Sequence, residues 1–392
     1  MIKSLDFKNL YDLLLFALCF GYPKVPGLSV PIGLIVLGID GKRFFGLIQR
    51  KEIRAFVFIS LGFLLMGLVR LIFNETTVSL SKELFFILSQ QYKIVIGIYC
   101  GSLLYLIIER NPMHIVCYML VQVSLMVASG VYEGLYTHLL SYQTGSSNNV
   151  FNTIFGLRSV GFGLIHNEGV ANIVALYFIC IADDRIKFVW KIIVDLAIYG
   201  SVFMSRMGVL LIILVQLVRK RIAAVVCLIF VLAYVYTIGV REDTILGETF
   251  ELVLNYQRTG QIATKSSTDI MGMRWLPSSQ KEFWLGSGQF FSDEGFYNDT
   301  DIGFARIMFF GGIFYVLGYL VLNIWGFFLE RVRSNLRRTD LLFLLIIFLV
   351  ANIKSIILLN WVMVYYVMKS KKYSSHQERP NFDPRLQYNC IK

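Results

Sequence analysis

The chain has 392 residues, of which 56% are hydrophobic and only 16% are charged. Its mean hydropathy of +0.63 excludes an ordinary soluble globular protein. The net charge of +11 suggests nucleic-acid binding, but Lys and Arg lie in short clusters between apolar blocks, as membrane topology signals do. We therefore expect no nucleic-acid partner. The composition predicts an all-α, polytopic integral membrane helix bundle, because a helix satisfies its own backbone hydrogen bonds in hydrocarbon.

Apolar blocks recur along the whole chain and predict about twelve transmembrane helices. In chain order they cover residues 9–22, 27–39, 55–73, 93–108, 113–130, 169–182, 188–204, 207–218, 222–239, 302–328, 340–353 and 355–368. The last two have an alternative as one long tilted helix over 340–368, which would reduce the number to eleven. We expect a single transmembrane domain over residues 1–370 and a polar cytoplasmic tail over residues 371–392.

Positive charge predicts the orientation of these helices. Clusters of Lys and Arg follow the second, sixth, eighth, tenth and twelfth apolar blocks, so all of them face the cytoplasm if the helices alternate from a cytoplasmic amino terminus. Both termini of this multi-pass protein are then cytoplasmic, and residues 74–92, 131–168 and 240–301 face the outside. The third of these segments is long enough to hold short helices, which we expect near Phe250–Asn255 and Thr268–Met273.

The first long outer loop, 131–168, ends in a group of polar residues at the predicted membrane surface. Arg158, His166 and Glu168 lie there within eleven residues. The planar guanidinium of Arg158 suits phosphate oxygens, and Glu168 is a candidate general base. Glu168 is equally explained as an acidic residue that stabilises the start of the next helix. His166 is the weaker catalytic candidate, because a single His at an interface is usually structural.

Further arginines and an aspartate stand at the outer ends of later spans. Arg206 lies between two apolar runs, where the positive-inside pattern makes an arginine unexpected; we expect it to bind substrate, with contact to lipid headgroups as the alternative. The second long loop, 240–301, ends in Asp301, which is either a helix cap or the base for an acceptor hydroxyl. Arg306 and Arg274 are further candidates for phosphate binding, with solvated surface as the alternative for Arg274.

Neither a cofactor nor a metal is expected. The four His residues show no metal-ligand spacing, and five of the six Cys residues lie inside apolar blocks, where packing explains them. No Walker sequence is present, so ATP is not expected to drive the protein directly. Within the spans, Asp195 is a candidate for a proton or cation path, with pairing to Lys191 as the alternative, and Arg70 lies near an outer end.

Three stretches of the chain resemble motifs of one membrane-protein family. They are RSVGFGLIHNEGVAN (158–172), SRMGVLLIILV (205–215) and, after GSGQF, DTDIGFARIMFFGGIFYVLGY (299–319). These stretches are similar to motifs of the O-antigen polymerases (Wzy) and the related O-antigen ligases of bacterial inner membranes. The layout of about twelve spans with two long outer loops is also similar. The ligases usually carry His where Asp301 stands, which favours a polymerase.

The resemblance implies a glycosyltransferase at the periplasmic face of the bacterial inner membrane. It would polymerise undecaprenyl-diphosphate-linked oligosaccharide units into O-antigen or capsular polysaccharide, with the diphosphate as leaving group. Carried over by position, Arg158 and Arg206 would hold the diphosphate, and Asp301 would activate the acceptor hydroxyl. The implied partners are the lipid-linked substrate, membrane lipid, a chain-length regulator and a flippase.

Two other functions stay open at this point, namely an O-antigen ligase and a flippase or transporter of the same lipid-linked sugars. A transporter is expected to place ionisable residues along a central path and to show repeated halves. In this sequence the charges concentrate in the outer loops, and no repeat is visible. The polymerase is therefore the preferred hypothesis.

Overall fold

The structure is a computed structural model that describes residues 7–28, 30–73, 80–143, 155–205, 207–238, 244–261, 264–292, 295–329, 332, 336–354 and 356–377. Within these ranges every regular element is helical, and β-structure is limited to three isolated bridges. The all-α prediction is therefore confirmed for this part of the chain. Arg206, residues 239–243 and residues 378–392 of the predicted tail lie outside it.

The helices are numbered here in chain order. The first eight are α1 (Phe7–Cys19), α2 (Ile32–Ile39), α3 (Gly41–Ile48), α4 (Lys51–Ile72), α5 (Leu80–Arg110), α6 (Met113–Val131), α7 (Glu133–Leu140) and α8 (His166–Ile181). The others are α9 (Phe188–Ala197), α10 (Met207–Val218), α11 (Ile222–Ile238), α12 (Ile245–Thr249), α13 (Glu251–Thr259), α14 (Lys265–Gly272), α15 (Gln280–Leu285), α16 (Gly303–Ile324), α17 (Arg338–Lys354) and α18 (Asn360–Gln377). Turns of 3₁₀ helix cover Ile198–Phe203, Tyr297–Asp299 and Trp325–Phe328.

Within the described ranges, four helices are long and apolar enough to cross a membrane. They are α4 from Ile53 onward, α5, α6, and α16 with its continuation to Phe328. Shorter apolar helices are α8, α10 and the first part of α11. The predicted first two spans are α1 and α2, which have only 13 and 8 residues. A single crossing needs about 20 residues, so the part of the chain that the structure describes is that of a helical membrane protein, and the number of twelve spans stays a prediction.

Several predicted boundaries agree with the structure. The span expected over 207–218 is α10 (Met207–Val218), and the span expected over 113–130 is α6. The short helices expected in the second long loop are α13 and α14. The last helix, α18, continues to Gln377 and so runs into the segment expected to be a polar tail.

Helix α5 is the largest departure from the sequence prediction. The span was expected over 93–108, but the helix has 31 residues and begins at Leu80. Residues 80–92, which were expected to belong to an outer segment, are therefore part of this helix. The prediction stopped where the apolar block gave way to polar residues such as Glu83 and Gln90. Charged and amide side chains are compatible with a helix inside a bundle when other elements supply their partners.

The basic clusters that were predicted to share one side lie together at one end of the bundle, which we name the basic end. Asp12 in α1 accepts hydrogen bonds from Arg43 (2.6 Å) and Arg110 (2.7 Å). Arg185 donates to the carbonyl oxygen of Ile108, 2.7 Å away in α5. Burial alone would raise the pKa of Asp183, but the hydrogen bonds and charge of Arg185 outweigh it and hold that pKa below its ordinary value.

Asp195 also belongs to the basic end. It lies 2.7 Å from Arg221 and accepts a hydrogen bond of 2.8 Å from the hydroxyl of Tyr177. Lys191, the expected partner, instead lies 4.0 Å from Asp184. Asp195 is thus the counter-ion of Arg221, which lies in the connection between α10 and α11.

Helices α17 and α18 are separated by a non-helical stretch at 356–359, so they do not form one long helix. Asn352 in α17 pairs with both backbone groups of Ile357 in this break: its Oδ1 accepts from the N–H of Ile357 (2.9 Å), and its Nδ2 donates to the carbonyl of Ile357 (3.0 Å). The hydroxyl of Tyr319 in α16 lies 2.6 Å from the same carbonyl. Irregular backbone inside a membrane protein is stable only where buried side chains satisfy it in this way.

Close packing of α5 and α18 fixes the centre of the bundle. Gly97 and Gly101 lie one turn apart on α5, and a Cβ at Gly101 would overlap the carbonyl oxygen of Trp361. A Cβ at Gly97 would overlap the side chain of Asn360, whose Nδ2 donates to the carbonyl of Ile94 (2.8 Å). Small residues at this spacing allow two membrane helices to approach each other closely.

The end of the second long loop is built into α16. Gly312 interrupts that helix with φ of 68°, a conformation that favours glycine. The N–H groups of Ser287 and Gly288 donate to the carbonyls of Phe309 (2.6 Å) and Phe310 (2.8 Å). The loop therefore supplies hydrogen bonds to backbone groups of α16 beside its interruption.

Candidate functional site

One face of α5 carries polar residues towards the end of the bundle opposite the basic end. Glu83, Phe86, Gln90 and Lys93 follow each other at spacings of three and four residues, so they lie along the same side of the helix. We name these four residues the α5 polar face, although Phe86 among them is apolar. Glu83 and Phe86 contact Phe290 and Phe291 of the second long loop, Lys93 pairs with Glu168, and the site is built around these contacts.

Glu83 fixes the second long loop to α5. Its side chain is fully buried and accepts hydrogen bonds of 3.0 Å from the backbone N–H groups of Phe290 and Phe291. Arg70, at the end of α4, donates to the carbonyl of Gly286. Arg70, which the sequence places near an outer end of its span, therefore makes a specific bond to the loop. These contacts bring residues 286–291 onto the bundle and leave Glu83 bonded to backbone donors.

Arg306 lies beside this anchored segment and is only 8% exposed. Its guanidinium is centred 3.5 Å from the ring of Phe296 and 5.8 Å from the ring of Phe86. Its Nε is buried and makes no hydrogen bond to any of the described residues. The negative charges of Asp301 and Glu83 act on the guanidinium from nearby. A buried cation held mainly by aromatic rings keeps hydrogen-bond capacity for an anionic ligand.

Lys93 and Glu168 form an ion pair between α5 and the first turn of α8. The Nζ of Lys93 lies 2.8 and 2.9 Å from the two carboxylate oxygens of Glu168. The exposed fractions of the two side chains are 16% and 24%. Glu168 was predicted as a candidate base. In this conformation its carboxylate is occupied by Lys93, and it acts as a counter-ion.

The segment 155–165, which carries Arg158, is tied to α6 and α7 by polar side chains. The hydroxyl of Ser129 donates to the carbonyl of Val160 (2.7 Å), and Gln143 donates to the carbonyl of Gly161 (2.9 Å). The N–H of Phe162 donates to Gln122 (3.1 Å). The backbone of this segment is therefore fixed, and it presents Arg158 at a half-buried position.

The second motif stretch contacts the first at the start of α8. His166 begins α8 with φ of 47° at a half-buried position. The next residue, Asn167, accepts a hydrogen bond from Ser205, which connects the stretch 205–215 to the stretch 158–172. Arg206 itself lies outside the described residues. Tyr319, at the end of the third stretch, is subject to the charge of Glu168.

A small cavity lies along the α5 polar face, between the elements that carry Arg306 and the Lys93–Glu168 pair. Its walls include Phe63, Phe86, Gln90, Phe290, Tyr319 and Leu358. The Oε1 of Gln90 is buried there and has no hydrogen-bond partner among the described residues. The non-helical stretch between α17 and α18 forms part of the wall through Leu358. The cavity is thus mainly aromatic, with one free acceptor.

The predicted site residues do not all fall within this arrangement. Arg306 and the half-buried Asp301 lie close enough for their charges to interact. Arg274 is exposed in the loop before α15, and its charge acts on Tyr297. The sequence analysis did not identify Glu83, Gln90 and Lys93. Their helical spacing at the edge of an apolar block was the available signal.

Among the described residues, no group of three or more His, Cys, Asp or Glu side chains could hold a metal ion. Comparison with known proteins found no match to the chain among family models, curated proteins or solved structures.

Proposed function

We propose that this protein is a membrane glycosyltransferase that polymerises undecaprenyl-diphosphate-linked oligosaccharide units into O-antigen or capsular polysaccharide. One observation supports this function best. Both long loops that are predicted to face the outside contact α5. The first loop, 131–168, does so through Glu168 and Lys93, and the second, 240–301, through Glu83 and the N–H groups of Phe290 and Phe291. Charged side chains of α5, α8 and α16, namely Glu83, Lys93, Glu168 and the buried Arg306, thereby lie in the part of the bundle away from the basic end.

The charges suit a diphosphate leaving group. In the proposed reaction, the oxygen of an acceptor hydroxyl bonds to the anomeric carbon of the donor glycan, and the bond from that carbon to the phosphate oxygen breaks. The electron pair leaves with the lipid diphosphate, and the hydroxyl proton passes to a carboxylate, for which Asp301 is the candidate. Arg306 and Arg158, with Arg206 carried over from the resemblance, stabilise the charge that develops on the diphosphate.

The division of roles between the two carboxylates follows from their partners. Glu168 is occupied by Lys93 at 2.8 and 2.9 Å, so it does not act as a base while this pair persists. Asp301 is half-buried beside Arg306 and stands before the first turn of α16. This geometry favours Asp301 for the acceptor proton, with His166 and Glu168 as the remaining candidates.

Deletion of the gene tests the proposal in the bacterium that carries it. Loss of a polymerase should collapse the surface polysaccharide ladder to a single repeat unit, and Asp301→Asn in the restored gene should give the same pattern. An unchanged ladder in the deletion strain would exclude polymerisation. Loss of a ligase would instead leave long polymer unattached to its final acceptor.

A flippase for the same lipid-linked sugars is the second candidate, and one observation favours it. The Lys93–Glu168 pair is an ionisable pair inside the bundle, as expected along a transport path. Loss of a flippase should trap complete repeat units on the cytoplasmic side. Loss of a polymerase should leave them outside and available for ligation as single units.

A further inference from the structure

We propose that Lys93 is an anion-binding residue of this site, and that Glu168 occupies it in the resting state and gives way to a phosphate group of the substrate. The inference rests on the proposed function for the identity of the phosphate carrier, a prenyl diphosphate. It adds a residue that neither the motifs nor the resemblance assigns. It also gives Glu168 a role other than that of a permanent structural partner.

The geometry of the pair is that of a bound oxyanion. Both oxygens of Glu168 lie at hydrogen-bond distance from one ammonium group, at 2.8 and 2.9 Å. A phosphate group can present two oxygens to the same ammonium in the same manner. The ring of Tyr22 lies 5.3 Å from the Nζ of Lys93 and supports the cation from another side. The site is therefore shaped for an anion with at least two oxygens.

The two members of the pair depend on each other unequally. Glu168 is in the first turn of α8, where the N-terminal N–H groups and the helix dipole stabilise a carboxylate without Lys93. Lys93 is in the interior of the 31-residue helix α5 and only 16% exposed, and besides Glu168 its ammonium has the weaker support of the Tyr22 ring. Removing Glu168 without supplying another anion is therefore costly for Lys93. Exchange of the carboxylate for a phosphate group avoids that cost.

Lys93 is also placed to act together with Arg306. Phe86, over which Arg306 lies, precedes Lys93 by seven residues, or about 10 Å along the helix axis. Gln90 lies between them on the same face and lines the cavity with its free Oε1. This spacing is of the order of a diphosphate, and the small cavity beside Gln90 must widen to admit one.

The test measures binding of farnesyl diphosphate, and separately of inorganic diphosphate, to the purified full-length protein in detergent. Glu168→Gln removes the competing anion and should tighten binding about tenfold, whereas Lys93→Gln should weaken it by at least about tenfold. The double variant should bind as weakly as Lys93→Gln alone, because no competitor matters once the cation is gone. Asp340→Asn is the matched control. It breaks a comparably buried pair with Arg219 (3.1 Å) at the basic end and should leave binding unchanged.

The change in diphosphate affinity on Glu168→Gln distinguishes two roles of Glu168. Tighter binding means that Glu168 competes with the phosphate for Lys93, and weaker binding means that the Lys93–Glu168 pair only holds the structure together. If this variant weakens binding as Lys93→Gln does, or if neither variant changes binding, the proposal is wrong. Thermal unfolding of each variant identifies a folding defect. In that case Glu168→Asp, which shortens the competitor, should still tighten binding, and Lys93→Arg, which keeps the cation, should retain it. Failure of both substitutes would also overturn the exchange.

The two probes identify the source of the phosphate. Much tighter binding of farnesyl diphosphate than of inorganic diphosphate indicates a lipid-linked ligand, and equal affinity indicates recognition of the phosphate alone. Either result supports the exchange if the variants follow the expected order. The proposed function can fail independently, because an unchanged polysaccharide ladder in the deletion strain would reject polymerisation while leaving the binding result intact.

Discussion

Replacing Glu83 should detach the second long loop from the membrane bundle. The carboxylate is fully buried and holds the N–H groups of Phe290 and Phe291 at 3.0 Å. Glu83→Ala leaves both N–H groups without an acceptor in a buried position. A hydrogen bond to a charged group contributes about 1.5–3 kcal/mol, so the two together suggest a loss of about 3–6 kcal/mol in the free energy of unfolding.

Glu83→Gln should have a smaller effect in the same direction. Both N–H groups lie 3.0 Å from the same oxygen, Oε1, so the amide oxygen of Gln can accept from both, and losing the charge of the acceptor should cost about 2 kcal/mol. Thermal unfolding in detergent, followed by tryptophan fluorescence, measures both losses. Limited trypsin digestion gives a local readout, because cleavage after the exposed Lys281 should accelerate when the following segment is released.

The exposed Glu133, at the start of α7, provides the control for removal of a glutamate charge. Glu133→Gln should change stability by no more than about 0.5 kcal/mol. If Glu83→Ala leaves both the unfolding midpoint and the rate of cleavage after Lys281 at their original values, the anchoring role assigned to Glu83 is refuted. The loop would then be held by its other contacts with α4 and α16.

Three other predictions follow from the packing and the site. Gly101→Ala should destabilise the protein by at least about 1–3 kcal/mol, because its Cβ would overlap a backbone carbonyl of α18. Gly46→Ala, with open space around it, should be neutral or stabilising, and unfolding temperatures measure both changes. Asn352→Ala should cost about 1–3 kcal/mol through the unpaired backbone groups at the break after α17, and a wild-type unfolding temperature would contradict this. Arg306→Lys keeps the charge but loses the planar stacking, so the polysaccharide ladder should shorten, whereas the exposed Arg54→Lys at the basic end should leave it unchanged; equal ladders would remove Arg306 from the site.

Hydropathy located most of the apolar helices but not the residues that organise the site. The limits of α10 could be predicted because an apolar run, broken only by Gln216, is bounded by arginines at both ends. The start of α5 could not, because Glu83 and Lys93 look like the edge of a span when their partners are unknown. Those partners are far along the chain, 207 residues away for Phe290 and 75 for Glu168. Local periodicity carries no information about contacts at such separations.

The candidate site was predicted in part, for a related reason. Arg306 was identified from its chemistry near a loop end, but its burial depends on Phe296 and Phe86, which come from separate segments. The alternatives for Glu168 could not be separated from the sequence, since a carboxylate at a helix start has the same local pattern whether or not a lysine from another helix neutralises it. Tertiary contacts decide between the two.

The bonds from Ser287 and Gly288 to the carbonyls of α16 limit where this protein can be altered. An epitope tag, protease site or fluorescent fusion inserted between residues 286 and 297 would leave carbonyls near the interruption at Gly312 facing hydrocarbon. An insertion near the exposed residues of α14 would not disturb them. Labelling studies of membrane topology should therefore place their reporters around residue 271, and shortened versions of the outer loop should keep everything from residue 286 onward.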